Sequence, residues 1–155
     1  MSKVIYKQGQ ISDIDENLGI VKGYGSVFGN KDSDNDIIEK GAYKRTIKNN
    51  GSRVKYLYQH DITKPIGKMK ELYEDEKGLV FVAEVPKTTF GNEVLELMKY
   101  GVIDENSVGI MPVKKDYDEN GVRMIKEVKL YEISAVTIAA NDEAKILEVK
   151  GESNK

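Results

Sequence analysis

The sequence predicts a mainly β fold with some helix, an antiparallel β-barrel of six or more strands, closed or nearly closed, surrounded by about three short helices. Three observations carry this. Short runs rich in β-branched and aromatic residues recur along the chain, separated by Gly, Asp and Asn clusters. Asn120-Gly121 lies between two long runs, the strongest hairpin signal present. Few strand–helix–strand crossovers are visible, so antiparallel pairing should dominate. A length of 155 residues suits one compact domain with one core. Its expected limits are 18–148, with 1–17 a flexible N-terminal segment or a first strand and 149–155 a tail.

In order, LGIVKGYGSVF (Leu18 to Phe28) reads as a strand whose glycines let it bend or approach another backbone. The acidic loop NKDSDND follows. Its Asp32, Asp34 and Asp36 imitate the start of a calcium loop, but Ile37 stands where the turn needs glycine and Tyr43 where a bidentate Glu belongs. It therefore reads as a solvated acidic turn. GAYKRTIKN is a short helix with Tyr43 and Ile47 on one face. VKYLYQ, Val54 to Gln59, alternates like a strand and delivers His60 at its end; GLVFVAEV, Gly78 to Val85, is a second strand. TTFGNEVLELMKYG places Phe90, Val94, Leu97 and Met98 on one helical face, with Thr near its start and Gly101 at its end. Ser107 opens the strand SVGIMPVKKDY, which turns through DENG into VRMIKEVKLYEISAVTIA, and Asn141 can cap a last helix.

With 39% hydrophobic and 32% charged residues, the composition is that of a soluble globular protein. No apolar run approaches a membrane span, and MSKVIYKQGQ lacks a signal peptide's apolar core, so the protein is expected to stay in the cytosol that made it. The net charge is −2 and the basic residues are scattered, which argues against nucleic-acid binding. There is no Cys and one His, which excludes a thiol nucleophile, a Cys-based or multi-His zinc site and any disulfide. Neither a cofactor nor a metal is expected. A general base titrating near neutral pH without strong tuning could only be His60.

Taken alone, His60 and Ser107 do not decide a function. An isolated His is commonly structural, and a serine at a strand start commonly satisfies backbone groups. Their neighbours come in a particular order, however. An acidic turn leads to Gly41-Ala42-Tyr43; a strand ends in Tyr58-Gln59-His60-Asp61 and is followed by Pro65-Ile66-Gly67; then come Gly78-Leu79, Lys99-Tyr100-Gly101, Ser107-Val108-Gly109, Glu132-Ile133-Ser134 and Ala140-Asn141. In this order the chain, from about Gly19 to Leu147, resembles the prohead, or head-maturation, serine proteases of tailed phages. Ala139 replaces that family's usual proline, and Asn106 stands where an apolar residue is common.

The resemblance implies a barrel like that of the herpesvirus assemblin proteases, with Ser107 as nucleophile, His60 as base and a third residue on a later strand. Glu132 follows Ser107 at a spacing similar to that superfamily's. It shares sequence parity with Val128, Leu130, Val136 and Ile138, so its carboxylate is expected on a mostly apolar face, where a charge needs a partner. Asp61 is a weaker alternative, because adjacent side chains on an extended segment diverge; Asp104 and Glu105 remain open. The implied activity is a serine endopeptidase that cleaves the scaffold segment of the major capsid protein, other prohead proteins and itself, inside the procapsid in the bacterial cytoplasm. A homodimer is expected by analogy, with no nucleic-acid or membrane partner. The rival readings are a catalytically inactive capsid-assembly scaffold of the same fold and a barrel that binds peptide or nucleic acid.

Overall fold

A computed structural model describes residues 5–15, 19–32, 34–139 and 150–151, the first and last of these stretches by backbone alone. The strands are β1 (Ile5–Asp15), β2 (Ile20–Val27), β3 (Asp36–Ile38), β4 (Lys55–Tyr58), β5 (Asp61–Glu74), β6 (Gly78–Glu84), β7 (Glu105–Tyr117), β8 (Arg123–Val136) and β9 (Lys150–Gly151). Two helices, α1 (Lys44–Asn50) and α2 (Thr89–Lys99), and a 3-10 turn (Gly51–Arg53) complete the described elements. The sheet runs β2-β6-β5-β4-β8-β7-β1-β9, and β1 also pairs with β2, so the curled sheet returns to its first strand. Antiparallel ladders dominate, as expected; β3 and β4 join β8 in parallel, and β9 joins β1 in parallel. The helix expected after Asn141 and the tail beyond Gly151 lie outside the described residues.

Residues that alternate inward from the strands form one core with α2. Tyr56 and Phe81 meet in it as a tilted ring pair, 5.0 Å between centroids, in one cluster with Leu79, Ile110, Leu130 and Ile133. The α2 residues Val94, Leu95 and Met98 are buried there, while Phe90 and Leu97 only border it. Its apolar stripe is thus centred slightly off the face read from the sequence. Thr88 caps this helix by accepting the Gly91 N–H at 2.9 Å, a contact that typically stabilises by about 1 kcal/mol.

Between β3 and β4 the chain leaves the edge of β8, and α1 fills the gap. Ala42 O accepts from Val128 N–H, Thr46 Oγ1 accepts from Leu130 N–H at 2.9 Å, and Asn50 Nδ2 donates to Leu130 O at 3.0 Å. These bonds satisfy backbone groups that would otherwise be buried without a ladder partner. The β7–β8 register slips at this point: Gly109 faces Glu132, but Ile110 faces Leu130. Tyr131 is the extra residue of a β-bulge, and it reverses the alternation beyond it. Leu130 and Val128 therefore point into the core with Ile133, whereas Glu132 points to the other face. The parity argument that grouped Glu132 with Val128 and Leu130 fails for this reason.

Other differences have equally local causes. The β7–β8 hairpin closes with Asp118 N–H donating to Val122 O, and only Gly121 of the Asn-Gly pair has positive φ, at 80°. Asp118 Oδ1 accepts the N–H groups of Asn120 and Val122, making a three-residue loop that ends in a left-handed glycine. The acidic turn is not simply solvated. Asp32 Oδ1 accepts the N–H groups of Asp34 and Asp36, and the buried Asp36 takes a two-pronged contact from Arg123 at 2.8 and 2.7 Å. The three carboxylates do converge, within 4.8 Å, but these bonds already account for Asp32 and Asp36. Ser107 is the third residue of its strand rather than the first, because β7 begins at Glu105.

Candidate active site

His60 occupies a two-residue turn: Tyr58 pairs with Asp61, and the intervening Gln59 and His60 have φ of 55° and 59°. Two successive left-handed residues suit the twist of a tight hairpin but cost about 1–2 kcal/mol each in residues with a Cβ. The turn is held from β8. Gln59 N–H donates to Ala135 O at 2.9 Å, Gln59 Nε2 donates to Thr137 Oγ1 at 2.6 Å, and Thr137 N–H donates back to Gln59 Oε1 at 3.1 Å. His60 N–H donates to Ser134 Oγ at 3.1 Å.

The imidazole meets Glu132. Nδ1 lies 2.6 Å from Glu132 Oε2, and an ionised carboxylate can only accept, so Nδ1 carries the proton of this bond. Nε2 is then the ring nitrogen that does not face Glu132. Side-chain exposures of 21% for His60 and 14% for Glu132 put the ring at the edge of solvent and its partner behind it. Ser134 Oγ donates to the second carboxylate oxygen, Oε1, at 2.6 Å. Gly109 faces Glu132 across the ladder, and a Cβ there would collide with the carboxylate. The glycine of Ser107-Val108-Gly109 therefore makes room for the acid.

Ser107 lies on this same face, two residues before Gly109 on β7. Its cross-strand partner is Ser134, placing the Cβ atoms of the two serines roughly 5 Å apart. Its Oγ is buried and has no hydrogen-bond partner among the described residues, so it is not bonded to His60 here. The strand is anchored from the opposite side by Asn106, whose Oδ1 accepts from Tyr56 OH at 2.8 Å and whose Nδ2 donates to Tyr24 O at 3.3 Å. That explains a buried Asn before the serine: it ties three strands together.

Of the alternative acids, Asp61 and Glu105 are engaged elsewhere. Asp61 Oδ1 accepts from the Thr63 hydroxyl at 2.6 Å and the Thr63 N–H at 2.9 Å, which hold its carboxyl below the ordinary value. Glu105 Oε1 accepts from Ala139 N–H at 2.9 Å. Burial, and then the charge of Glu105, push the Asp104 carboxyl above its usual value. Of the sequence-derived residues, the fold thus brings His60 and Glu132 into contact and sets Ser107 on their face. Sequence reasoning missed Ser134, Gly109, Gln59 and Thr137; the Ser-x-Gly and Glu-x-Ser motifs held two of them, but their tasks depend on a register not readable before folding. A groove of about 350 Å³ opens beside Glu132, lined by Lys55, Leu57, Ile62 and Tyr131 among others.

Comparisons with known proteins place the chain among phage proteases. The chain is 38% identical to the prohead protease of Enterobacteria phage HK97 over 141 residues, covering 88% of this chain and 62% of the relative. It is 29% identical to the prohead protease of Escherichia phage T5 over 137 residues, covering 85% and 64%. The chain thus spans somewhat under two thirds of the length of these relatives. The structure matches the bacteriophage T4 capsid assembly protease with a TM-score of 0.70 at 12% identity, covering 88% of this chain and 98% of the other, a likeness of fold. The pattern of the caudovirus prohead serine proteases matches residues 7–155, and the chain belongs to that family.

Proposed function

We propose that this chain is a serine endopeptidase of phage head maturation in which Ser107 is the nucleophile, His60 the general base and Glu132 the residue that orients the base. The observation that supports this most is the 2.6 Å contact between His60 Nδ1 and Glu132 Oε2 on the face that carries Ser107. In the working state the Ser107 hydroxyl reaches His60 Nε2, which takes its proton as Oγ attacks the scissile carbonyl carbon. Glu132 keeps the ring in the right tautomer and balances the imidazolium charge. The imidazolium then protonates the leaving amine, and water hydrolyses the acyl-enzyme by the same route. The order histidine, serine, third residue on a barrel is the order of the herpesvirus assemblin proteases, to which we liken the fold.

The proposed substrates are the scaffold segment of the major capsid protein, other prohead proteins and the protease itself, met inside the procapsid in the host cytoplasm. Confinement there raises local concentration and favours a weak homodimer. A fluorophosphonate probe tests the chemistry. Covalent labelling mapped to Ser107 by mass spectrometry, and abolished in His60→Ala, is the expected result. A folded, concentrated protein that takes up no label would instead support a scaffold in which the serine and histidine never meet.

A further inference from the structure

We propose that Ser134 is a positioning residue for His60, on the reading of Ser107, His60 and Glu132 as a triad. Its hydroxyl makes two contacts that involve the base. It accepts from the His60 backbone N–H at 3.1 Å and donates to Glu132 Oε1 at 2.6 Å, while Glu132 Oε2 meets His60 Nδ1 at 2.6 Å. The result is a closed ring of hydrogen bonds: His60 backbone, Ser134 hydroxyl, Glu132 carboxylate, His60 imidazole. Both ends of the histidine are thereby tied to one carboxylate.

The ring performs two tasks that neither bond could perform alone. A carboxylate on a flexible Glu side chain can turn about its last torsion; a donor fixed on one oxygen decides which oxygen faces the imidazole. A left-handed residue with a Cβ tends to relax toward negative φ; an acceptor fixed opposite its N–H opposes that relaxation where His60 has φ 59°. Ser134 can do both because it is fully buried near the end of β8, paired with Leu57 on one side and Ser107 on the other. Its own backbone is thus fixed by both neighbouring strands. The same pairing sets it beside the proposed nucleophile, yet its one proton is committed to Glu132. It therefore does not serve as a second nucleophile.

The chain has a single histidine, so ¹⁵N-histidine labelling gives an unambiguous spectrum of this ring. In the unaltered protein we expect neutral His60 to be held as the Nδ1–H tautomer. In Ser134→Ala the two ring nitrogen shifts should move toward each other as tautomers mix. The maximal rate of fluorophosphonate inactivation should fall roughly ten- to hundredfold, with the probe concentration for half-maximal rate within about twofold, because the loss is of alignment and not of probe binding. Circular dichroism establishes that the variant is folded. An unchanged ring spectrum in folded Ser134→Ala overturns the inference, as does an unchanged inactivation rate. If the unaltered protein takes no label at Ser107, the triad reading fails, and the tautomer comparison still judges Ser134 separately.

Discussion

Two serines face each other across β7 and β8 and are used in opposite ways. Ser134 both donates and accepts, whereas the buried Ser107 hydroxyl has no hydrogen-bond partner among the described residues. An unsatisfied buried hydroxyl costs about 1–3 kcal/mol, so a serine kept in that condition calls for an explanation beyond packing. Ser26 Oγ and Tyr43 OH share that condition, so what distinguishes Ser107 is its place opposite Ser134, on the face that carries Glu132. Gly109 sets a second constraint at this scale, since it leaves space for the Glu132 carboxylate that a Cβ would fill. Gly109→Ala should push that carboxylate off the imidazole, lowering fluorophosphonate labelling of Ser107 by about a hundredfold or more while reducing stability by only about 1–3 kcal/mol. A labelling rate equal to that of the unaltered protein would mean that Glu132 is not needed where it lies.

At the scale of elements, the bulge at Tyr131 decides which face Glu132 occupies, and α1 supports it by taking up the free backbone groups of Leu130. This is where legibility in the sequence ends. VKYLYQ, GLVFVAEV and the two long arms around Gly121 are readable because each is a run of β-branched and aromatic residues bounded by turn residues. β5 is not, because in DITKPIGKMKELYE only Ile66 is fully buried and a Pro interrupts the run. β3 is three residues long, too short to show a period. His60 and Ser107 could be singled out as residue types in an order, but a one-residue slip inverts every later side chain, and no parity count along β8 can foresee it. The joint between α2 and β7 offers a test with a sign. Burial, then Glu105, raise the Asp104 carboxyl, so the native state binds its proton more readily than the unfolded chain. Its contribution is most favourable below the ordinary carboxylate range and is lost as pH rises through the raised native value. Asp104→Asn, which imitates the protonated form, should raise Tm at pH 7–8, and the gain should vanish below about pH 4. Thermal melts across that range check this, and a lower Tm for the variant at pH 7 would contradict it.

On the scale of the whole molecule, the proposed site belongs to no single element. The turn after β4 supplies His60, β7 supplies Ser107, and the far half of β8 supplies Glu132 and Ser134, on strands that neighbour one another only because β4 joins β8 in parallel and β8 joins β7. The sheet path returning from β1 to β2 leaves these strands in the interior of the sheet, with ladder partners on both sides. Loosening the site should then require loosening the sheet, because Ser134 and Glu132 sit on the same backbone whose opposite face, through Ile133 and Ala135, helps to form the core. Fluorophosphonate reactivity and sheet structure should accordingly disappear together. In a urea titration the loss of Ser107 labelling and the loss of the far-UV β signal are expected to share one midpoint, as a single cooperative transition requires. With no Trp in the chain, circular dichroism and tyrosine emission are the structural probes. If labelling ceased at a clearly lower urea concentration than either signal, the Gln59-His60 turn would be a separately melting unit, held by its bonds to Thr137 and Ser134 and not by the sheet itself.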